Sequence, residues 1–397
     1  MAFNKFRAFM DVGRVQGIST TAAIALLGAF TSTRAPAFGT LLWLVVISIY
    51  AHAGGAAINE LWDRKLDAGV RELWRKPLIS GALSVAEAKA FSAACIAVAL
   101  SLAFIMFGFA AFIAILVSCI WLVWYCTSGK RTFLANDLAL SVGYPAFALF
   151  GALAAGMPTF LTLVFLGIVA AVSAFSQWEN GLKDADNDRR FGIPSLAVRS
   201  GVSSETGLAV RHPFFIYGAG IKLAFLALCV LPVLVMPVPF LYLGLVLILG
   251  VPDQLLTMRM FLGKRNRADY VKAILADVPQ SWLVGSAIAI LCAGWQVYAG
   301  LTVFLVAGYL VGSALQSGAE FKLRLPGSWQ ARRRSRARKV PVRYSGTPFM
   351  VTWAPRGKGG FVEVRSSMMA IRPRDPLPAL DEYGERCDGV CIVEALN

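Results

Sequence analysis

The sequence predicts an all-α fold, a polytopic membrane helix bundle of about nine transmembrane helices followed by a polar, basic C-terminal tail. Three observations carry this. Of the 397 residues, 57% are hydrophobic and only 15% are charged, a balance that soluble globular domains do not keep. Apolar runs recur at 18–31, 37–59, 86–108, 110–127, 137–156, 159–179, 216–236 and 238–260, and most reach the ~20 residues that a spanning helix needs. The cations collect between these runs and in the tail.

The polar residues 1–17 carry Lys5, Arg7 and Arg14. The run after them reads as a span, not a cleaved leader, because no small-residue cleavage site follows and a second span begins almost at once. The stretch 282–312 is either one tilted span or two short ones broken around Tyr298-Ala299-Gly300, so the expected count is nine, with ten as the alternative. Connections after the second, fourth, sixth and eighth spans hold Arg71, Arg75 and Lys76; Lys130 and Arg131; Arg189, Arg190 and Arg199; and Lys264, Arg265 and Arg267. The other connections are short and nearly uncharged, which places the basic ones in the cytoplasm. Lys222, near the start of a span, is expected to snorkel.

Residues 1–316 form the expected transmembrane domain and 317–397 the tail. The tail holds the basic block Arg332-Arg333-Arg334-Ser335-Arg336-Ala337-Arg338-Lys339, with Pro and Gly beyond it. It reads as disordered or loosely structured, with a small tail domain on the Val/Phe/Thr-containing segments near 341–353 and 361–365 as the alternative. The block favours the cytoplasm, which requires an even number of spans and conflicts with nine.

The net charge of +15 lies in loops and tail, and points to anionic lipid instead of nucleic acid. Two histidines in the chain leave a zinc or haem site little to work with. Cys95, Cys119, Cys126, Cys229 and Cys292 sit in or beside apolar runs as small hydrophobes, and Cys387-x3-Cys391 is too short a signal for metal.

Two stretches repeat one pattern. Asn59, Asp63 and Asp67, and again Asn180, Asp184 and Asp188, stand at i, i+4 and i+8 at the ends of long apolar runs. On a helix, steps of four keep side chains on one face, so each stretch presents an amide and two carboxylates as a stripe. Acids at the mouth of a membrane helix need a wet cavity, a countercharge or a metal, and two facing stripes make an all-oxygen site of the kind that suits Mg²⁺ with a phosphorylated substrate. Each stripe is followed by cations and a Gly-containing turn: Arg71, Arg75, Lys76, Pro77 and Gly81 after the first; Arg189, Arg190, Gly192 and Arg199 after the second. That order fits a diphosphate. One such stripe could merely mark a membrane boundary with weak surface ion pairs; two with identical spacing on one side argue for a site.

These residues resemble the UbiA-type intramembrane prenyltransferases, over about residues 15 to 315 but not the tail. The resemblance rests on the first stripe with Lys76-Pro77-Leu78-Ile79-Ser80-Gly81, on Asp184-x3-Asp188-x3-Gly192 with Ser195-Leu196-Ala197-Val198-Arg199, and on Tyr125 followed by Lys130-Arg131-Thr132. It implies a Mg²⁺-dependent transfer of a prenyl group from a polyprenyl diphosphate to an aromatic or lipid acceptor, within the bilayer. Asp63, Asp67, Asp184 and Asp188 are then the catalytic metal ligands, assisted by Asn59 and Asn180. Arg75, Lys76, Tyr125, Lys130, Arg131 and Lys183 are then substrate contacts. Asn136, with Asp137 at the head of the fifth span, either touches an acceptor head group or caps the helix. Departures from the family form include Glu60 where many members have Asp, Gly181 where some have Asp, Lys76 for Arg, Glu72 at an often basic position, and Tyr125 standing five residues before Lys130 instead of the commoner four.

Trp62, Tyr125, Tyr144, Phe147 and Trp178 are candidates to face an allylic cation, against the plainer reading as packing or interface anchors. His52 is either an acceptor-side base or a core histidine bonded to backbone. A terpene cyclase on the same scaffold would use the same ionising residues and remains the main alternative. A secondary transporter, the remote one, would need polar groups near the midplane of several spans, whereas the sequence places its charges at span ends.

Overall fold

The computed structural model describes residues 2–69, 73–128 and 135–317, together with five strands between residues 338 and 391. These separate into two compact units, Met1–Lys322 and Leu323–Asn397.

In the first unit every described element is helical. After α1 (Ala2–Val12) and a 3₁₀ turn at Val15–Gly17 come α2 (Ile18–Ser32), α3 (Phe38–Asp67), the single turn α4 (Pro77–Ser80), α5 (Val85–Thr127), α6 (Ala135–Ala155) and α7 (Phe160–Arg190). Then follow α8 (Leu196–Arg199), α9 (Pro213–Val235), α10 (Phe240–Gly244), a π-helical stretch at Leu245–Gly250, α11 (Val251–Phe261), α12 (Arg267–Ser286), α13 (Ile288–Ala293) and α14 (Trp295–Ser317). Local chemistry starts them. Ser84 and Glu87 close a reciprocal capping box on α5, Thr159 does the same with Thr162 on α7, and Asn266 caps α12, each satisfying amides that a helix start leaves open.

Eight helices are long and apolar enough to cross a membrane, and Ala139–Ala155 is a shorter apolar helix. One of the eight, α5, is two. Gly54 of α3 lies against Ile96, and the adjacent Gly55 against Leu122; on a straight helix residues 96 and 122 would be about 39 Å apart. The chain therefore folds back at Gly108, whose φ of 79° only glycine adopts readily. With the shorter apolar helix, the described residues thus offer ten candidate crossings. The expected break near Tyr298-Ala299-Gly300 instead falls at Gly294, again at positive φ (94°), and the preceding helix begins as early as Arg267 because its charged first turns are helical.

Large apolar side chains point outward along the bundle, among them Ile105, Phe109, Leu163, Leu223, Leu234, Ile248 and Val303, as lipid-facing surface requires. The chain is an integral, multi-pass membrane protein. Its core runs through α2, α6 and α7, around Ile24, Leu27, Phe150, Phe165 and Phe175. At the α2–α6 crossing a Cβ on Gly28 would strike the Ala148 carbonyl and one on Gly151 the Ala25 carbonyl, the close backbone approach that small residues permit between membrane helices. The last span closes on the first: Gly308 of α14 packs on Ser19, Gly312 packs on Gln16, and Ser19 Oγ donates to the Leu305 carbonyl at 3.2 Å. The end of α14 thus lies beside the start of α2.

In the second unit, β1 (Arg338–Tyr344), β2 (Thr347–Trp353) and β3 (Val362–Arg365) form an antiparallel sheet in that order, and β4 (Leu377–Leu380) pairs antiparallel with β5 (Arg386–Cys391). These described strands belong to the tail, and β5 contains Cys387 and Cys391.

Candidate active site

The two stripes form the ends of α3 and α7 and open on one cavity of about 590 Å³. Asn59, Asp63, Asp67, Asn180, Asp184 and Asp188 all line it, together with Lys76, Tyr125 and Lys183. Two similar turns finish the stripes. After α3 the chain makes α4 and ends it on Gly81 (φ 76°); after α7 it makes α8, with Gly201 (φ 79°) just beyond. Gly192 (φ 67°) closes α7 itself, and the Ile193 amide donates to the Asp188 carbonyl at 2.8 Å, fixing the last turn of the second stripe.

Within the first stripe Asn59 Nδ2 donates to Asp63 Oδ2 at 3.0 Å, and Lys76 Nζ lies 2.7 Å from Asp67 Oδ2. In the second, Lys183 Nζ donates to Asn180 Oδ1 at 3.0 Å and pairs with Asp184 at 3.3 Å, while Arg267 Nε lies 3.5 Å from the other oxygen of Asp184. Tyr125 donates its hydroxyl to Gln177 Oε1 at 3.2 Å, and both residues line the cavity. Trp62, Tyr144 and Phe147 also line the cavity. Trp178 does not: it is buried against Phe214 and Phe261, and its indole N–H donates to the Phe214 carbonyl at 2.7 Å.

Arg75 is exposed and outside the cavity lining. Lys130 and Arg131 lie outside the described residues, and Asn136 is described only in its backbone, in the first turn of α6.

Several members of the site carried no motif signal. Glu60 is buried behind the first stripe, and its Oε1 accepts from both Arg14 Nη2 at 2.6 Å and Lys76 Nζ at 3.0 Å. It thereby holds two cations at the cavity wall, which is what the longer reach of Glu over Asp achieves here. Arg14 sits in a left-handed backbone conformation (φ 46°), costly for a residue with a Cβ. His52 pins it: Nε2 donates to the Arg14 carbonyl at 3.1 Å, which leaves Nδ1 to accept from Thr21 Oγ1 at 2.7 Å. His52 is thus a backbone-bonded histidine at the cavity wall. Burial opposes the Arg14 charge, but Glu60 and Asp63 outweigh it and hold the guanidinium pKa above its usual value. Arg267 comes from the start of α12, far along the chain, where only a long-range contact could have marked it.

The expectation for Lys222 is overturned. It does not snorkel but is 2% exposed and paired with Glu179 and Asp277. Charges therefore also lie inside the spans, although none of Glu179, Lys222, Asp253 and Asp277 lines the cavity.

Among the described residues no three His, Cys, Asp or Glu side chains meet closely enough to enclose a metal ion. The donor set is nonetheless the one that Mg²⁺ takes: oxygen only, a few carboxylates, with room for water and phosphate oxygens to complete the shell.

The model of the UbiA prenyltransferase family matches residues 18–275. The chain belongs to this family. A digeranylgeranylglyceryl phosphate synthase of Korarchaeum cryptofilum is 28% identical over 257 residues, 62% of this chain and 84% of that protein. A 4-hydroxybenzoate octaprenyltransferase of Sodalis glossinidius is 29% identical over 168 residues, 42% of this chain and 57% of that protein. Among solved structures, a UbiA homologue from Archaeoglobus fulgidus bound to GPP and Mg²⁺ superposes with a TM-score of 0.55 at 14% identity, covering 79% of this chain and 99% of that one. At that identity it shows the fold alone, and the fold is the UbiA bundle.

Proposed function

We propose that this prenyltransferase binds a polyprenyl diphosphate with Mg²⁺ between the two stripes and transfers the prenyl group to an aromatic or lipid acceptor. The observation that carries this is the convergence of both Asn/Asp/Asp stripes, with Lys76, Lys183 and Arg267, on one cavity that also has an aromatic wall. Asp63, Asp67, Asp184 and Asp188 would hold the metal, with Asn59 and Asn180 adding neutral oxygens. Bound Mg²⁺ supplies Lewis-acid stabilisation of the charge that develops on the leaving group.

The chain's own residues do the rest. As the allylic C–O bond breaks, its electron pair leaves with pyrophosphate, and Lys76 and Lys183 stand at the carboxylates where that charge gathers. Trp62, Tyr125, Tyr144 and Phe147 offer ring faces to the allylic cation and limit access of water. The acceptor's nucleophilic atom then bonds to the allylic carbon and its proton is lost. The stripes, the described cations that follow them and the end of α14 share one end of the bundle, which by the positive-inside rule is read as the cytoplasmic one.

The test is pyrophosphate release by purified protein given geranyl, farnesyl and geranylgeranyl diphosphates, with and without Mg²⁺ and with phenolic and glycerophospholipid acceptors. Acceptor-dependent, Mg²⁺-dependent release supports the reading. Efficient release of a hydrocarbon or alcohol without acceptor would identify a cyclase instead, and no release with any combination would overturn both.

A further inference from the structure

Behind the second stripe, four helices bury ionisable groups in one layer. Glu179 of α7, Lys222 of α9, Asp253 of α11 and Asp277 of α12 stand 11, 9, 8 and 10 residues from the site-side ends of their helices at Arg190, Pro213, Phe261 and Arg267, about 12–17 Å along each axis. All four are at most 3% exposed. Lys222 Nζ is bonded to Asp277, pairs with Glu179 at 3.2 Å, donates to Gln254 Oε1 at 3.2 Å and lies 4.3 Å over the Phe175 ring. Gln254 passes its amide hydrogens to Ser281 and Asp253, each at 2.9 Å, and Thr257 donates to Asp277 at 3.0 Å. Asp253 Oδ1 accepts no hydrogen bond.

Three carboxyl groups around one ammonium are a costly way to join helices, so simple adhesion does not account for them. Apolar helix faces discriminate poorly among rotations in a lipid environment, where every face finds an equivalent partner. A buried ion pair is satisfied in only one. On α7, at about 100° per residue, Glu179 points about 140° from Asp184 and about 180° from Asp188. It therefore anchors the back of the helix whose front carries the stripe. A rotation that turned Asp184 and Asp188 out of the cavity would also pull Glu179 from Lys222.

We propose that Glu179, Lys222 and Asp277 are positioning residues that lock the rotation of α7, so that the second stripe faces the first. The lock rests on the second stripe belonging to the active site, but its geometry can be read without turnover. Spin labels at Lys65 and Arg190, both exposed, placed in a cysteine-free background, report the distance between the ends of α3 and α7.

The near-isosteric variant Glu179→Gln is expected to fold, to broaden that distance distribution, to lower pyrophosphate release at least tenfold and to raise the Mg²⁺ concentration for half-maximal rate. Lys222→Met, which leaves three buried acids without a cation, is expected to melt lower. The triple variant Lys222→Met/Glu179→Gln/Asp277→Asn is expected to recover the melting temperature while keeping the broad distribution and slow release. A narrow, wild-type distribution in Glu179→Gln, or in a triple variant of restored stability, overturns the lock and leaves the cluster a purely stabilising one. If the wild-type protein releases no pyrophosphate, the spectroscopic result still decides, and only the functional reading falls.

Discussion

Replacing Lys76 with methionine separates two duties of one ammonium group. Its Nζ lies 2.7 Å from Asp67 and 2.9 Å from Glu60, with the side chain 25% exposed. Hydrogen bonds to charged groups contribute ~1.5–3 kcal/mol each, and Glu60 would keep Arg14 as a partner. With its partial exposure discounted, the fold should lose only about 1–2 kcal/mol. The chemical loss should be larger. Removing one donor aimed at developing negative charge slows catalysis about 10²–10³-fold, a barrier increase of about 2.7–4 kcal/mol. Lys76→Met is therefore expected to purify as a folded bundle with a slightly lowered melting temperature and release pyrophosphate 10²–10³ times more slowly at saturating Mg²⁺. Lys76→Arg should recover part of the rate, since it keeps the charge but not the compact geometry. Continuous pyrophosphate detection with one prenyl diphosphate measures both variants. Release by Lys76→Met within threefold of wild type would refute the assignment, because the cation would then be balancing Asp67 and nothing more.

Asp63→Ala and Asp184→Ala, one from each stripe, should each abolish Mg²⁺-dependent release; full activity in either would mean that a single stripe suffices. Chelation with EDTA should stop turnover, and added Mg²⁺ should restore it in proportion to metal, which a rate assay against free Mg²⁺ reports. Gly151→Ala drives a methyl group into the Ala25 backbone carbonyl, so it should cost at least the ~1–3 kcal/mol typical of overpacking. Gly220→Ala, with open space at its Cβ, should leave the melting temperature unchanged or raise it. His52→Leu removes the bond that pins the Arg14 carbonyl and should speed tryptic cleavage after Arg14; an unchanged cleavage rate would show that the strained turn holds without it.

What could be read from the sequence was whatever repeats or has a period. The Asn/Asp/Asp spacing is local and twofold, so the stripes and their convergence were visible before any coordinates, as were the apolar runs. In the sequence Glu60 is only a departure from a motif, because its role depends on Arg14, 46 residues earlier, and on Lys76, 16 residues later. Lys222 differs from its sequence expectation for the same reason: a lysine near a span end usually reaches water, and Glu179 and Asp277, from other helices, keep it inside. The parity of the spans turned on Gly294. A glycine in an apolar run announces neither a helix break nor a helix interior, and the charged turns after Arg267 concealed that the previous helix had already begun. An even count, such as the ten candidate crossings, is the one that agrees with the basic tail block.

The closure of the bundle by α14 has a consequence for how the protein is made. Residues 15–19, which lead into the first span and carry on from Arg14, rest against Leu305, Gly308 and Gly312 near the end of the last. This early segment of the helical unit thus waits for the unit's last helix before its wall of the cavity has a backing. Chains that stop before residue 295 would hold both stripes yet leave that flank open to lipid. The enzyme is therefore expected to gain its activity in one late step of synthesis, and not by degrees as each half of the site is completed.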